Sequence, residues 1–284
     1  MNTEPGEKED YLRGMLERTA LYFDKSDLDK LSEITVAIAG FGGVGAITAE
    51  LLARWGIMKY RLLDMDRYEY SNLNRQLFAT SRTLGRRKTE VAAERIREIN
   101  PYAEIEMTVS ERVSNENVYE FVRRADIVIQ NADHPSCKLF YIAARKHKVP
   151  LVNGYASLTG GRVQTFDFRN SPCRSVFDGL WNRLKFGDSK SLEEMTSQEI
   201  ADFDREHVHA TAPSINFVTN MVGCMIVAEA VKLLTEKGKV VEYPRYLEFD
   251  VFSFRMRVRN SNSPLNRQNV KQLWRAVKNR NRAV

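Results

Sequence analysis

Cysteine is scarce in this chain. Its 284 residues hold three, Cys137, Cys173 and Cys224, and no two form a C-x-x-C pair. Structural zinc takes four Cys or His ligands in paired spacing, so no structural zinc is expected. The chain is read as cytoplasmic, and an odd cysteine count in such a chain also argues against disulfides. Long apolar runs are missing as well. None approaches the roughly 18 residues of a membrane helix, which leaves no membrane partner. The N-terminal stretch MNTEPGEKEDYLRG is polar and acidic and is not a secretory signal. What is present suits a packed domain: hydrophobic residues make up 43% and charged residues 28%, enough for a core inside a solvated surface. The formal charge of +6 is concentrated between Arg255 and Arg282. Such a tail attracts nucleic acid or an acidic partner, or is simply solvated.

Apolar patterning divides the chain. Residues 1–12 are expected to be disordered, and 13–32 carry helical spacing. ITVAIAG (34–40) is a continuous apolar run, as in a strand buried on both faces. A helix (44–56) and a second strand (59–66) follow. The alternation continues with a helix over 86–100, a strand over 104–109, a helix over 115–124, a strand over 126–130, a helix over 136–147 and a strand over 150–154. This implies a doubly wound, mostly parallel α/β sheet with right-handed crossovers. After Gly154 the pattern turns antiparallel (160–168). Residues 169–206 are polar and irregular, 213–234 form a long helix, and 245–259 one or two strands. The reading is one domain over 13–259, with a Rossmann-like nucleotide-binding half (33–154), a mixed partner-binding half (155–259) and a basic tail (260–284).

Gly40-Phe41-Gly42-Gly43-Val44-Gly45 fits G-x-G-x-x-G between a strand and a helix, the context that a nucleotide loop requires. Glycines there let backbone approach a phosphate, and the helix start offers free N–H groups. Asp64 ends the next strand, placed to accept from ribose hydroxyls. On this evidence an NAD-dependent oxidoreductase fits as well as any nucleotide enzyme. The next segment separates them. Asp64-Met-Asp66 leads into Ser71-Asn72-Leu-Asn74-Arg75-Gln76 and then Gly85-Arg-Arg-Lys88. A triphosphate losing pyrophosphate needs cations around the leaving group. Arg75 suits a bidentate grip and Lys88 a point charge, while Asn72 and Gln76 add neutral hydrogen bonds.

Together, G-x-G-G-x-G, D-x-D, S-N-x-N-R-Q and the G-x-x-K helix start resemble the adenylating enzymes that activate ubiquitin-like proteins and sulfur carriers. Within that family the first hundred residues are most similar to the activator of the ubiquitin-fold modifier. The resemblance runs over roughly residues 11–259. It implies ATP and Mg2+ as cofactors, an acyl-adenylate product, and a homodimer or pseudodimer. It implies nucleotide binding by Gly40, Gly42, Gly43, Gly45, Asp64, Asp66, Asn72, Asn74 and Gln76. It gives Arg75 and Lys88 the phosphates and Asp133, at a strand's carboxyl end, the Mg2+. It further implies that Arg13 or Arg18 reaches the other subunit's ATP in trans.

Two departures from the family bear on function. Cys173 stands near the first of two zinc pairs that many relatives carry, Val176 takes its partner's place, and the second pair is missing. His209 stands where relatives that form a thioester carry cysteine, and a thioester needs a thiolate. His207 and His209 are left as either site residues or loop residues, and Cys224 reads as core. The expected reaction is therefore ATP-dependent adenylation of a carboxylate on a protein or peptide, without a thioester step. The substrate is a ribosomally made peptide or the C-terminus of a ubiquitin-like or sulfur-carrier protein. Adenylation of a modified tRNA base and a catalytically inactive scaffold subunit are the other readings.

Overall fold

A computed structural model describes residues 6–132, 137–171 and 213–263, with positions 173, 196, 198, 199 and 202. Strands β1 (Thr35–Ala39), β2 (Lys59–Leu63), β3 (Glu104–Val109), β4 (Ile127–Gln130) and β5 (Leu151–Ala156) run parallel. β6 (Gly160–Phe166), β7 (Arg245–Asp250) and β8 (Arg255–Asn260) continue the same sheet antiparallel. The order across the eight strands is β3-β2-β1-β4-β5-β6-β7-β8. The chain winds outward from β1 in both directions, so β1 and β4 flank the crevice where doubly wound folds bind ligands.

β1 shows why the run 34–40 had to be a central strand. Val36 and Ile38 enter one core, while Ala37 and Ala39 enter another on the opposite face. Alternate side chains point to opposite faces of a strand, so a strand covered on both sides is apolar throughout. Each fully buried Val or Ile contributes about 1.5–3 kcal/mol over its exposed state. The first core is closed by α3 (Gly45–Arg54), α4 (Lys88–Ile99) and α7 (Asn216–Thr235); the second by α5 (Val118–Arg123) and α6 (Cys137–His147). α7 crosses α3 at Gly223, where an added Cβ would come within 2.3 Å of Ile47.

The N-terminal segment differs from its sequence reading. Residues 7–12, expected to be disordered, belong to helix α1 (Glu7–Leu16), held by a hydrogen bond from the Tyr11 hydroxyl to the Ile99 carbonyl, 2.8 Å. The helix expected over 13–32 is two helices. A single 3-10 turn at Thr19–Leu21 separates α1 from α2 (Lys25–Glu33). Asp24 starts α2 afresh: its carboxylate accepts from the Asp27 amide at 3.1 Å, and Asp27 accepts from the Asp24 amide at 3.3 Å. That reciprocal cap satisfies donors a continuous helix would not leave open.

α7 also departs from expectation. An 18-residue window of it has a mean hydropathy of 1.6, so by length and composition it is a helix that could cross a membrane. Val218, Val222, Ile226 and Ala230 are buried, as in a core helix. Cys224, read as core, is exposed. A helix apolar on every side carries no sequence mark of which face is covered.

Candidate nucleotide site

The glycine loop joins the end of β1 to the start of α3, at the crevice. Gly40 adopts φ +88°, a conformation that side chains resist, and a Cβ there would meet the Asn131 carbonyl at 2.9 Å. Gly45 is packed tighter: its Cβ would lie 1.7 Å from the Gly40 oxygen. Gly43 faces Thr219 on α7, whose side chain would lie 3.1 Å from an added Cβ. Gly42 differs, because a Cβ there would meet only the Gln76 amide nitrogen, at 3.7 Å. The loop is thus folded on itself at Gly40 and Gly45 and open at Gly42. The N–H groups of Gly42, Gly43, Val44 and Gly45 find no acceptor among the described residues. Val44 gives α3 no side-chain cap. Free donors at a helix start favour an anion.

Asp64 lies under the loop, 8% exposed. One carboxylate oxygen accepts from the Phe41 amide at 2.6 Å and the other from the Asp66 amide at 2.8 Å. Burial pushes its carboxyl above the usual carboxylate range, against the pull of Lys88 and those two backbone donors. The aspartate therefore fixes the loop, and its remaining lone pairs leave room for a hydroxyl donor. Tyr68 adds a hydrogen bond from its hydroxyl to the Phe41 carbonyl, 3.2 Å.

Asp66 and Lys88 form a pair that the sequence does not announce. Tyr68 N–H donates to the Arg86 carbonyl and Gly85 N–H to the Tyr68 carbonyl, while Lys88 N–H donates to the Asp66 carbonyl. This short ladder lays 85–88 along 66–68. It sets the Lys88 ammonium 2.9 Å from the Asp66 carboxylate, with Lys88 only 5% exposed. The family resemblance gives both residues to the nucleotide; in this structure each neutralises the other.

The S-N-x-N-R-Q stretch makes a 3-10 turn, Tyr70–Asn72. Asn72 is buried, and its amide oxygen accepts from the Glu69 N–H at 3.1 Å, so its side chain closes the turn. Asn74 accepts from Arg75 at 3.0 Å and points its amide at the Ser214 carbonyl, 3.5 Å away. The Arg75 guanidinium also donates to the Ser71 carbonyl at 2.8 Å and pairs with no carboxylate among the described residues. Gln76 is buried beside Gly42, and its amide oxygen has no partner among the described residues. On the other flank, both polar atoms of the Asn131 side chain are buried without a partner among them. That amide nitrogen would lie 3.4 Å from a Cβ on Gly45. Buried polar atoms without partners are costly, and here they gather on either side of the glycine loop. Asn131 is absent from the sequence-based site because Asp133, two positions later, carries the family's motif. Its signal was available: a polar residue directly after an apolar strand at the crevice.

Arg13 and Arg18 are not part of this cluster within one chain. Arg13 pairs with Asp10 at 2.6 Å on the exposed side of α1. α1 docks through Tyr11 on Ile99 and through Leu16 on Gly56, where β2 and β3 begin. The glycine loop and Asp64 lie where β1 and β2 end. Asp133, His207 and His209 fall outside the described residues. Cys173 is buried, its thiol donating to the Asp167 carbonyl at 3.7 Å, and burial pushes its pKa up. Among the described residues no three His, Cys, Asp or Glu side chains gather to hold a metal.

The chain matches the ThiF family over residues 16–270. It is 30% identical over 214 residues to the SAMP-activating enzyme E1 of Haloferax volcanii, covering 75% of this chain and 72% of that protein. Escherichia coli tRNA N6-threonylcarbamoyladenosine dehydratase in complex with AMP is 27% identical, with a TM-score of 0.60. That superposition covers 79% of this chain and 96% of the other. An Escherichia coli MccB structure with MccA-N7isoASN is similar in fold alone: TM-score 0.68, 19% identity, covering 92% of this chain and 75% of that one. Other curated relatives match over less of their length, 35% and 50% in two cases. With a family match across most of its length and the glycine loop, Asp64 and Lys88 at one crevice, the chain belongs to the ThiF family.

Proposed function

We propose that the chain uses ATP to adenylate a carboxylate on a protein or peptide, releasing pyrophosphate. The observation that carries the reading is the crevice itself. Four N–H groups without an acceptor among the described residues, an open Gly42 and two amides likewise unpartnered surround the point where β1 and β4 diverge. An α-phosphate fits the four N–H donors and the Asn131 amide nitrogen, whereas the Gln76 oxygen is an acceptor and suits a hydroxyl or N–H of the ligand. Asp64 would take the ribose, Arg75 would supply charge for the β- and γ-phosphates, and Lys88 would do so on exchanging its Asp66 partner for a phosphate. The attacking carboxylate oxygen bonds to the α-phosphorus as the bond to pyrophosphate breaks, so cations at the leaving group lower the barrier. Mg2+ would neutralise the same phosphates. It enters the proposal through Asp133 alone, since the Asp64 and Asp66 carboxylates are already engaged.

A homodimer belongs to the proposal, with Arg13 or Arg18 acting on the partner's ATP, because α1 in its own chain sits at the far end of the sheet. A cytoplasmic setting rests on three unpaired cysteines. The protein reading is supported by a relative named for activating SAMP; the peptide reading has beside it a protein alike in fold, MccB, whose structure is with MccA-N7isoASN. A second reading, action on tRNA N6-threonylcarbamoyladenosine, is favoured by the dehydratase likeness; that group also carries a carboxylate. Exchange of labelled pyrophosphate into ATP tests both. Exchange that depends on a polypeptide carboxylate supports the first reading, and exchange that depends on tRNA supports the second. Arg75→Ala should reduce exchange by about 100-fold or more, the scale of losing one leaving-group contact; unchanged exchange removes Arg75 from its assigned role.

A further inference from the structure

β8 lies at the margin of the sheet, and among the described residues nothing pairs with its outer edge. All six of its residues are exposed. They alternate: Arg255-Met256-Arg257-Val258-Arg259. Register fixes the faces. Arg257 lies opposite Glu248 of β7, which lies opposite Arg162 of β6, which lies opposite Tyr155 of β5. Arg255, Arg257 and Arg259 therefore share one face. Met256 and Val258 share the other with Phe249 and Leu247. Met256 is 53% exposed, Val258 55% and Phe254, in the turn before them, 96%. Arg259 bonds Glu248 at 3.2 Å, while Arg255 and Arg257 form no ion pair with a described residue.

An open strand edge is a template for another strand. What it accepts is set by the side chains that end up opposite. A second copy of β8 laid antiparallel would set arginine against arginine, which disfavours self-pairing. The chain's own residues 264–284 carry Arg267, Lys271, Arg275, Lys278, Arg280 and Arg282 and no acidic side chain, so they match the edge no better. Single-stranded RNA would leave Met256 and Val258 uncovered and would meet Glu248 and Asp250 among the arginines. Of the two tyrosines flanking Arg162 on the arginine face, Tyr246 is buried and Tyr155 is exposed, a sparse platform for stacked bases.

We propose that β8 adds an extended polypeptide segment in which acidic and apolar residues alternate. Its acids face the arginine row and its apolar side chains cover Met256 and Val258. The inference rests on the adenylation reading in one respect only: the segment belongs to the polypeptide whose carboxylate is activated.

The test uses the full chain without ATP and a fluorescein-labelled peptide, Gly-Glu-Val-Asp-Leu-Glu-Gly, followed by anisotropy. Saturable binding is expected. The double variant Arg255→Glu/Arg257→Glu should weaken it about tenfold, two cross-strand charge pairs' worth. A peptide with Lys in place of each acid should regain affinity for that variant. N-methylation of the amides on one peptide edge should abolish binding. Absence of saturable binding overturns the proposal, even though Glu193, Glu194, Glu199, Asp202, Asp204 and Glu206 offer the same chemistry within the chain. Equal affinity for the acidic and basic peptides, or displacement by polyuridine but not by unlabelled peptide, also overturns it. Should the double variant unfold, Arg257→Gln and the N-methylated peptide carry the same comparison. Pyrophosphate exchange is a separate readout: a chain that binds the peptide but never exchanges pyrophosphate sinks the catalytic reading and leaves β8 standing.

Discussion

At the residue scale, two glycines of one loop have different jobs. Gly45 has no space for a methyl group, since its Cβ would sit 1.7 Å from a backbone oxygen. Gly45→Ala should destabilise the fold by about 3 kcal/mol, the upper range for overpacking. Gly42→Ala meets only a side-chain nitrogen at 3.7 Å and should unfold in urea like the wild type, yet bind ATP more weakly. Equal urea midpoints for the two variants would show that the loop is not folded on itself as described. The sequence made this loop legible, because G-x-G-x-x-G between strand and helix has a backbone cause. It did not reveal that Asn72 serves the turn, nor that Asp66 holds Lys88. Those depend on residues 66–68 and 85–88 lying side by side, a tertiary fact with no periodicity behind it.

At the element scale, the parallel strands and their helices were readable from apolar runs of the right length. Failures fell where pattern is mute. The break between α1 and α2 turns on one capping aspartate, and the covered face of α7 is unmarked because every face is apolar. α3 and α4 are tied by Glu50, which accepts from Arg54 at 2.6 Å and Arg95 at 2.8 Å. Burial alone would raise the Glu50 pKa. The hydrogen bonds and charges of Arg95 and Arg54 outweigh it, and the carboxyl is held below its ordinary 4.5. A depressed carboxyl stabilises the fold above its unfolded pKa, and that contribution is lost as pH falls through the lower, folded value. Urea midpoints measured from pH 7 down to pH 3 should fall, with the loss starting below about 4.5. In Glu50→Gln the acid-side loss should shrink by about 1 kcal/mol, kept small because both arginines reach solvent. An unchanged acid limb would mean the pair does nothing for stability.

At the scale of the whole molecule, the sheet has a nucleotide crevice at one end and the N-terminal helix at the other. Arg13 and Arg18 serve an ATP site only if chains associate. Chains carrying Arg13→Ala/Arg18→Ala and chains carrying Lys88→Ala should each be inactive in pyrophosphate exchange. Mixed in equal amounts, they should recover roughly a quarter of wild-type exchange. Half the pairs would be mixed under random closed two-fold pairing, each with one intact site. No recovery would confine each site to a single chain. The fold class and the glycine loop were visible in the sequence before the structure, whereas the distance between α1 and the crevice was not, because apolar spacing does not say at which end of a sheet a helix will dock.

If Arg13 or Arg18 acts on the partner's ATP, that docking has a consequence in dilute solution. A lone chain would hold nucleotide without cleaving it, and turnover per chain would rise with protein level until pairing is complete. Through where its first helix rests, such a molecule would gauge its own abundance.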